Sequence, residues 1–175
     1  MESTKTRILK KLLETDGYLS GQDLCEQLGV SRTAVWKYMK QLKEEGYEIE
    51  AVQNKGYCLK DVPDVLGESE IKSRLHTRWA GQTLYYYDEI DSTNTQIKRL
   101  AEEDAPHGTL AVADYQSKGK GRRGHAWDSP HGSAIYMSIL FRPDIRPDRA
   151  SILTLVIGLS VAQAIRSNLG VQAQI

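Results

Sequence analysis

At 175 residues the chain is long for one small domain and allows two. It balances 23 Lys and Arg against 23 Asp and Glu, for a formal net charge of zero. That argues against a protein that coats nucleic acid without specificity, while leaving room for a local basic face. Cys25 and Cys58 have neither metal-ligand spacing nor a disulfide framework, and the N-terminus lacks the apolar segment of a signal peptide. The longest apolar run, Ile152 to Ile165, reads as too short and too interrupted to span a bilayer. These features place the protein in a reducing cytoplasm.

In chain order, Ile8, Leu9, Leu12 and Leu13 lie at one-face helical spacing between Arg7 and Leu13, and Asp16-Gly17 stops that helix. Ser20 followed by Asp23 resembles a capping box for a second helix bearing Leu24 and Leu28, ended by Gly29. Ser31 caps a third, with Ala34, Val35, Met39 and Leu42 on its apolar side and Gly46 as its stop. A short helix, a Leu-Gly-Val-Ser turn and another helix make a helix-turn-helix. Tyr47 to Val52 and Tyr57 to Lys60 alternate around Gln53-Asn54-Lys55-Gly56, a hairpin. Three helices and a hairpin describe a winged helix-turn-helix over residues 1–62.

The third helix carries Arg32, Lys37, Lys40 and Lys43 with no acid between Ser31 and Lys43. The DNA-binding reading sets this helix in a major groove, with Ser31, Arg32, Thr33, Trp36, Lys37 and Lys40 facing the duplex. Winged helices also serve protein contacts, and charge alone does not separate the two uses.

Asp61-Val62-Pro63-Asp64 marks a boundary, so that a second domain covers residues 63–175. It begins with a short helix from Glu68 to Leu75 and a tyrosine-rich strand from Leu84 to Ile90. Ser92 is placed to cap the helix that runs on to about Asp104, which sets Ser92, Thr93 and Asn94 at a helix N-terminus suited to a polar or anionic group. Simple capping explains the same residues. Gly108 to Tyr115 reads as a buried strand leading into QSKGKGRRGHAW, residues 116–127. That stretch holds Lys118, Lys120, Arg122 and Arg123 among Gly119, Gly121 and Gly124, closed by His125 and Trp127. Closely spaced glycines expose backbone N–H groups, and the cations add charge and directional donors, a set suited to a phosphate or phosphoanhydride. A solvated basic loop is the plainer reading of the composition. Ser133 to Phe141 is another strand, with Ile135, Met137 and Ile139 as its apolar set. Ala150 to Leu169 reads as an apolar helix packed across a sheet and buried on more than one side, and Val171 to Ile175 as the start of a strand. Helices and strands mix, so the second domain is α+β or mixed α/β.

Ser92-Thr93-Asn94 after a strand, then Gln116, then Gly119-Lys120-Gly121-Arg122-Arg123-Gly124 and Trp127, resembles the catalytic domain of biotin protein ligases. With the winged helix, the whole chain is similar to the bifunctional class, in which the ligase also represses biotin synthesis genes. The resemblance implies a biotin/lipoate ligase-type fold and a two-step reaction through biotinyl-5′-AMP, with biotin and ATP as substrates and magnesium accompanying ATP. Its partners would be the biotin carboxyl carrier protein of a carboxylase, operator DNA, and a second copy of the chain when biotinyl-5′-AMP is bound. Carried over by position, Ser92, Thr93, Asn94, Gln116, Lys120, Gly121 and Arg122 would bind biotin, with Arg122 catalytic. Gly119, Arg123, Gly124 and Trp127 would bind the adenylate, and the loop would order on the ligand. No metal-ligand cluster is implied.

Lys120 and His125 stand where many relatives have arginine, which removes a bidentate fork at the first and makes charge at the second depend on pH. The family's Lys-Trp-Pro-Asn-Asp segment, a following lysine and a small C-terminal β-barrel domain do not occur here. The expectation is a truncated ligase that turns over little by itself. A ligand-responsive regulator without catalysis and a lipoate-type ligase are the competing readings.

Overall fold

The structure, a computed structural model, describes residues 3–174, apart from the side chain of Arg122. The chain divides into two compact units, one up to Phe141 and the other from Arg142.

Three helices open the first unit: α1 (Thr4–Glu14), α2 (Gly21–Leu28) and α3 (Arg32–Glu44). Helix α1 begins earlier than its apolar spacing suggests, because Ser3 Oγ accepts from the Thr6 N–H at 3.1 Å and stabilises a further turn. Ser20 Oγ accepts from the Gln22 and Asp23 N–H groups, and Gly29, in the left-handed region, closes α2. Ser31 Oγ accepts from the Ala34 N–H at 3.2 Å to start α3. The apolar faces converge on one cluster of Ile8, Leu9, Leu12, Leu24, Leu28, Val35, Met39 and Leu42, joined by Tyr47 and Ile49. Strands β1 (Glu48–Val52) and β2 (Gly56–Asp61) pair antiparallel as the wing. Reciprocal backbone bonds between Leu19 and Tyr57, at 2.7 and 2.9 Å, tie the wing to the segment before α2. Gly56 permits that approach, since a Cβ there would run into the Leu19 backbone.

The rest of the unit is α4 (Glu68–Arg74), β3 (Leu84–Ile90), α5 (Thr93–Glu102), β4 (Leu110–Gln116) and β5 (Tyr136–Ile139). The sheet order is β3-β4-β5, with β3 and β4 parallel and β5 antiparallel to β4. Crossover helix α5 covers one face, burying Ile97 and Leu100 with Ala105, Ala111 and Leu140. On the other face Leu84, Leu110 and Val112 pack with Leu66 and Ile71, the latter from α4. Helix α4 also packs on α1.

Strand β5 is shorter than the alternation suggests. Its ladder with β4 ends at Ala113–Tyr136, because beyond it Asp114 accepts from the Gly132 N–H and the Gln116 N–H donates to Ser129 O, so the segment before Tyr136 turns away. Tyr136 and Leu140 are buried, whereas Ile135 and Met137 are exposed.

In the second unit a helical turn at Pro147–Arg149 precedes α6 (Ile152–Leu169), which Gly170 ends in the left-handed conformation. The helix forms where expected, but its burial does not follow. Among its described residues only Ala162 is buried, and Ile152, Leu155, Val156, Leu159, Val161 and Leu169 are exposed. Apolar side chains occur all round this helix, so no single packed face could enclose them. Its 18 residues, with mean hydropathy 1.5, have a length and composition that membrane-crossing helices share. A fully enclosed core helix has the same composition. Residues 171–174 form no strand, as no described strand pairs with them; Ile175 lies outside the described residues.

Candidate ligand-binding site

The strand β3 ends at Ile90, and the turn into α5 is fixed by Asp91. Its carboxylate accepts from the Ser92 N–H at 2.7 Å and pairs with Arg99 at 2.7 Å. The Arg99 guanidinium, and after it the Ser92 N–H, hold the Asp91 carboxyl below its ordinary range. Ser92 occupies the N-cap of α5, but its side chain makes no capping bond. The cap comes from a distant residue: Gln116 Oε1 accepts from the Thr93 N–H at 2.8 Å and from Thr93 Oγ1 at 3.1 Å. Local serine capping therefore gives way to a side chain delivered by the neighbouring strand.

The glycine-rich loop leaves β4 alongside this turn. The Ser117 and Lys118 N–H groups donate to Ile90 O and Asp91 O at 2.9 and 2.8 Å. The loop then closes on itself through Trp127 N–H to Gly119 O at 2.9 Å and Gly121 N–H to His125 O at 2.8 Å, with a tight turn at Arg122–Gly124 as its tip. Gly119 is buried where nothing larger fits: a Cβ would collide with Trp127 O and stand 2.8 Å from Ser129 Oγ. Behind the loop, Asp114 pairs with His131 Nδ1 at 2.7 Å, His131 stacks on Tyr115, and the imidazole holds the Asp114 carboxyl below its usual range.

Between these elements lies a cavity of about 250 Å³ lined by Ser92, Thr93, Asn94, Gln116, Lys120, Trp127, Ile135, Tyr136, Met137 and Ser138. Six of the residues singled out from the sequence thus meet around one space: Ser92, Thr93, Asn94, Gln116, Lys120 and Trp127. Gly119, Gly121, Arg123 and Gly124 shape the loop without lining that space. The side chain of Arg122 lies outside the described residues. Sequence reading missed Tyr136, Ser138 and the apolar wall of Ile135 and Met137, which sheet pairing brings in. Ser138 Oγ lies 3.0 Å from Thr93 Oγ1. The chemistry on offer is a polar end of hydroxyl and amide groups, an apolar wall, and Lys120 from the loop. Larger cavities of about 490 and 650 Å³ lie away from this constellation, against α1 with α4 and against the wing. Among the described residues no three of His, Cys, Asp or Glu come together as a metal site.

On the winged helix, Ser31, Arg32, Thr33, Trp36, Lys37 and Lys40 are all exposed along α3, opposite buried Val35, Met39 and Leu42. Arg32 donates to Gln22 Oε1, and Lys40 pairs with Glu44 at 3.6 Å. A cavity of about 390 Å³ joins Arg32 and Gln22 to Asn54 and Lys55 of the wing.

Residues 86–175 match the biotin/lipoate A/B protein ligase family, and residues 4–58 match a helix-turn-helix domain. The chain is 45% identical to the bifunctional ligase/repressor BirA of Bacillus spizizenii over 177 residues, covering 100% of this chain and 54% of that protein. It is 35% identical to the BirA of Escherichia coli over 156 residues, covering 89% of this chain and 47% of the relative. The chain therefore spans about half the length of the curated relatives it matches. Among solved structures, a biotin protein ligase from Aquifex aeolicus in complex with biotin and ATP matches at 35% identity with a TM-score of 0.46, over 54% of this chain and 38% of that one.

Proposed function

Since the chain belongs to the biotin/lipoate A/B protein ligase family, we propose that its protein is an ATP-dependent biotin–protein ligase that also acts as a biotin-responsive repressor. One observation carries the reading: the Ser92-Thr93-Asn94 turn, Gln116 and Lys120 of the glycine loop line a single cavity beside an apolar wall. That arrangement suits a ligand with a polar ring, an apolar body and a carboxylate bound for a phosphate.

In the first step the biotin carboxylate attacks the α-phosphorus of ATP, forming biotinyl-5′-AMP and expelling pyrophosphate. A lysine of the carrier protein then attacks the acyl carbon of the mixed anhydride and releases AMP. The first step brings two anions together, and both load charge on phosphoryl oxygens, which a cationic loop rich in N–H groups stabilises. Ser92, Thr93, Asn94 and Gln116 bind biotin. Lys120, Gly121 and Arg122 reach biotin or its adenylate, with Arg122 the catalytic residue, while Gly119, Arg123, Gly124 and Trp127 shape the adenylate side. Magnesium arrives with the ATP phosphates. The domains divide as 1–62 and 63–175. Bound biotinyl-5′-AMP favours a homodimer that sets two winged helices on a two-fold operator. The cytoplasm, where Cys25 and Cys58 remain free thiols, is the setting.

The test of the enzyme is pyrophosphate release by the full-length protein. Biotin with ATP is expected to release it, and Arg122→Ala to slow adenylate formation by about a hundredfold. Release with lipoate and ATP but not with biotin and ATP would make it a lipoate-type ligase, and no release with either a regulator without chemistry. For the repressor, affinity for operator duplex should fall steeply with salt, as expected for Lys and Arg on phosphates. A flat salt dependence removes those contacts.

A further inference from the structure

Gln116 joins the α5 turn to the glycine loop, and its amide has one orientation. The Thr93 N–H only donates, so the group facing it at 2.8 Å must be the amide oxygen. That leaves Gln116 Nε2 facing Ser129 Oγ at 3.0 Å. Because Ser129 Oγ accepts there, its proton is directed to Trp127 O at 3.3 Å. Ser129 is 1% exposed, and its own carbonyl accepts from the Gln116 N–H at 3.2 Å. The same hydroxyl is the atom that Gly119 packs against, where a Cβ would stand 2.8 Å away. Among the described residues no buried side-chain polar atom lacks a partner, so the relay from Thr93 through Gln116 and Ser129 to Trp127 is fully satisfied.

We propose that Ser129 is a positioning residue for the ligand site, acting through Gln116. It touches neither the cavity nor any reacting atom. It supplies the acceptor that holds Gln116 Nε2 on one side, so that Oε1 stays on Thr93 and the Gln116 side chain, which lines the cavity, keeps one orientation. Without that acceptor the amide either leaves Nε2 buried without a partner or rotates and sets a donor against the Thr93 N–H. The second bond, to Trp127 O, ties the same hydroxyl to the end of the loop. This inference rests on the reading of biotin as the ligand.

The experiment measures biotin binding by titration calorimetry on the full-length protein, its Ser129→Ala and Gln116→Ala variants, and the double variant. Ser129→Ala is expected to weaken binding by roughly tenfold. The double variant is expected to bind no more weakly than Gln116→Ala alone, since Ser129 has nothing left to position. A serine that merely supports the fold weakens binding equally in both backgrounds, and that result overturns the proposal. So does a Ser129→Ala variant that binds like the parent. If Ser129→Ala does not fold, Ser129→Cys carries the same comparison, because a thiol of similar size is a poor acceptor. A parent protein that fails to bind biotin overturns the ligand reading and this inference together, whereas tight parental binding untouched by Ser129→Ala overturns this inference alone.

Discussion

The winged helix and the three-stranded sheet fill their interiors with different materials. In the first, ten residues from three helices and the start of the wing form one apolar cluster, and Thr6 is the buried polar side chain beside them. In the second, apolar burial is split into two smaller clusters on opposite faces of the sheet, and Ser92 and Thr93 are buried at the cavity with Ser129 behind Gln116. A buried hydroxyl or amide contributes little net stability even when fully hydrogen-bonded, but it fixes orientation. The contrast teaches where each region's specificity resides: in shape for the winged helix, and in hydrogen-bond direction for the ligand site.

The largest expected effect tests the first half of that contrast. Leu42 is fully buried at the centre of the helical cluster, and Leu42→Ala should cost about 3 kcal/mol through lost transfer energy and the cavity left behind. Val112, 1% exposed on one face of the sheet, loses two methyl groups on substitution, so Val112→Ala should cost about 1.6 kcal/mol. Urea denaturation of the two variants reads both values. If Val112→Ala costs as much as Leu42→Ala, the sheet is as tightly packed as the helical cluster and the comparison collapses.

The same difference explains what was legible from the residues alone. Helices α2 and α3 announce themselves because Ser20, Gly29 and Ser31 act on amides within three residues of themselves or end a helix directly. The start of α1 was less plain, since Ser3 stands well before the first apolar residue of the pattern. In the second region, the strand-turn-helix of β3 and α5 and the glycine loop were readable from local composition. Their connection was not. The cap of α5 comes from Gln116, 23 residues beyond the Thr93 it serves, and no local rule favours it over Ser92. Ser138 and Met137 reach the cavity only through the register of β5 on β4, which sets Met137 opposite Val112 and Ser138 opposite Ala111. Alternation picked out Ile135 and Met137 as apolar, but not that Ile135, Tyr136, Met137 and Ser138 all line one cavity. For α6, the composition specified a helix but not its surroundings.

A smaller effect tests whether the two regions are energetically joined. Tyr47, at the entrance to the wing, donates its hydroxyl to Glu70 Oε2 of α4 at 2.6 Å, and Glu70 also accepts from Arg74 at 2.5 Å. Burial first, and the bond to the Glu70 carboxylate second, push the Tyr47 phenol well above its ordinary value. A group raised on folding stabilises fully below its unfolded value, about 10 for tyrosine, and loses that contribution as pH climbs through the folded one. The bond should therefore contribute a constant amount between pH 6 and about 9 and begin to change the slope of stability only in stronger base. Tyr47→Phe keeps the ring in the cluster and leaves Glu70 with Arg74, so the expected cost is about 1 kcal/mol, a third of that for Leu42→Ala. Denaturation at pH 7 and pH 9 measures it. A variant as stable as the parent, or a cost that already differs between those two values, would mean that the hydroxyl does not join the winged helix to α4 and that α1 packing alone holds them together.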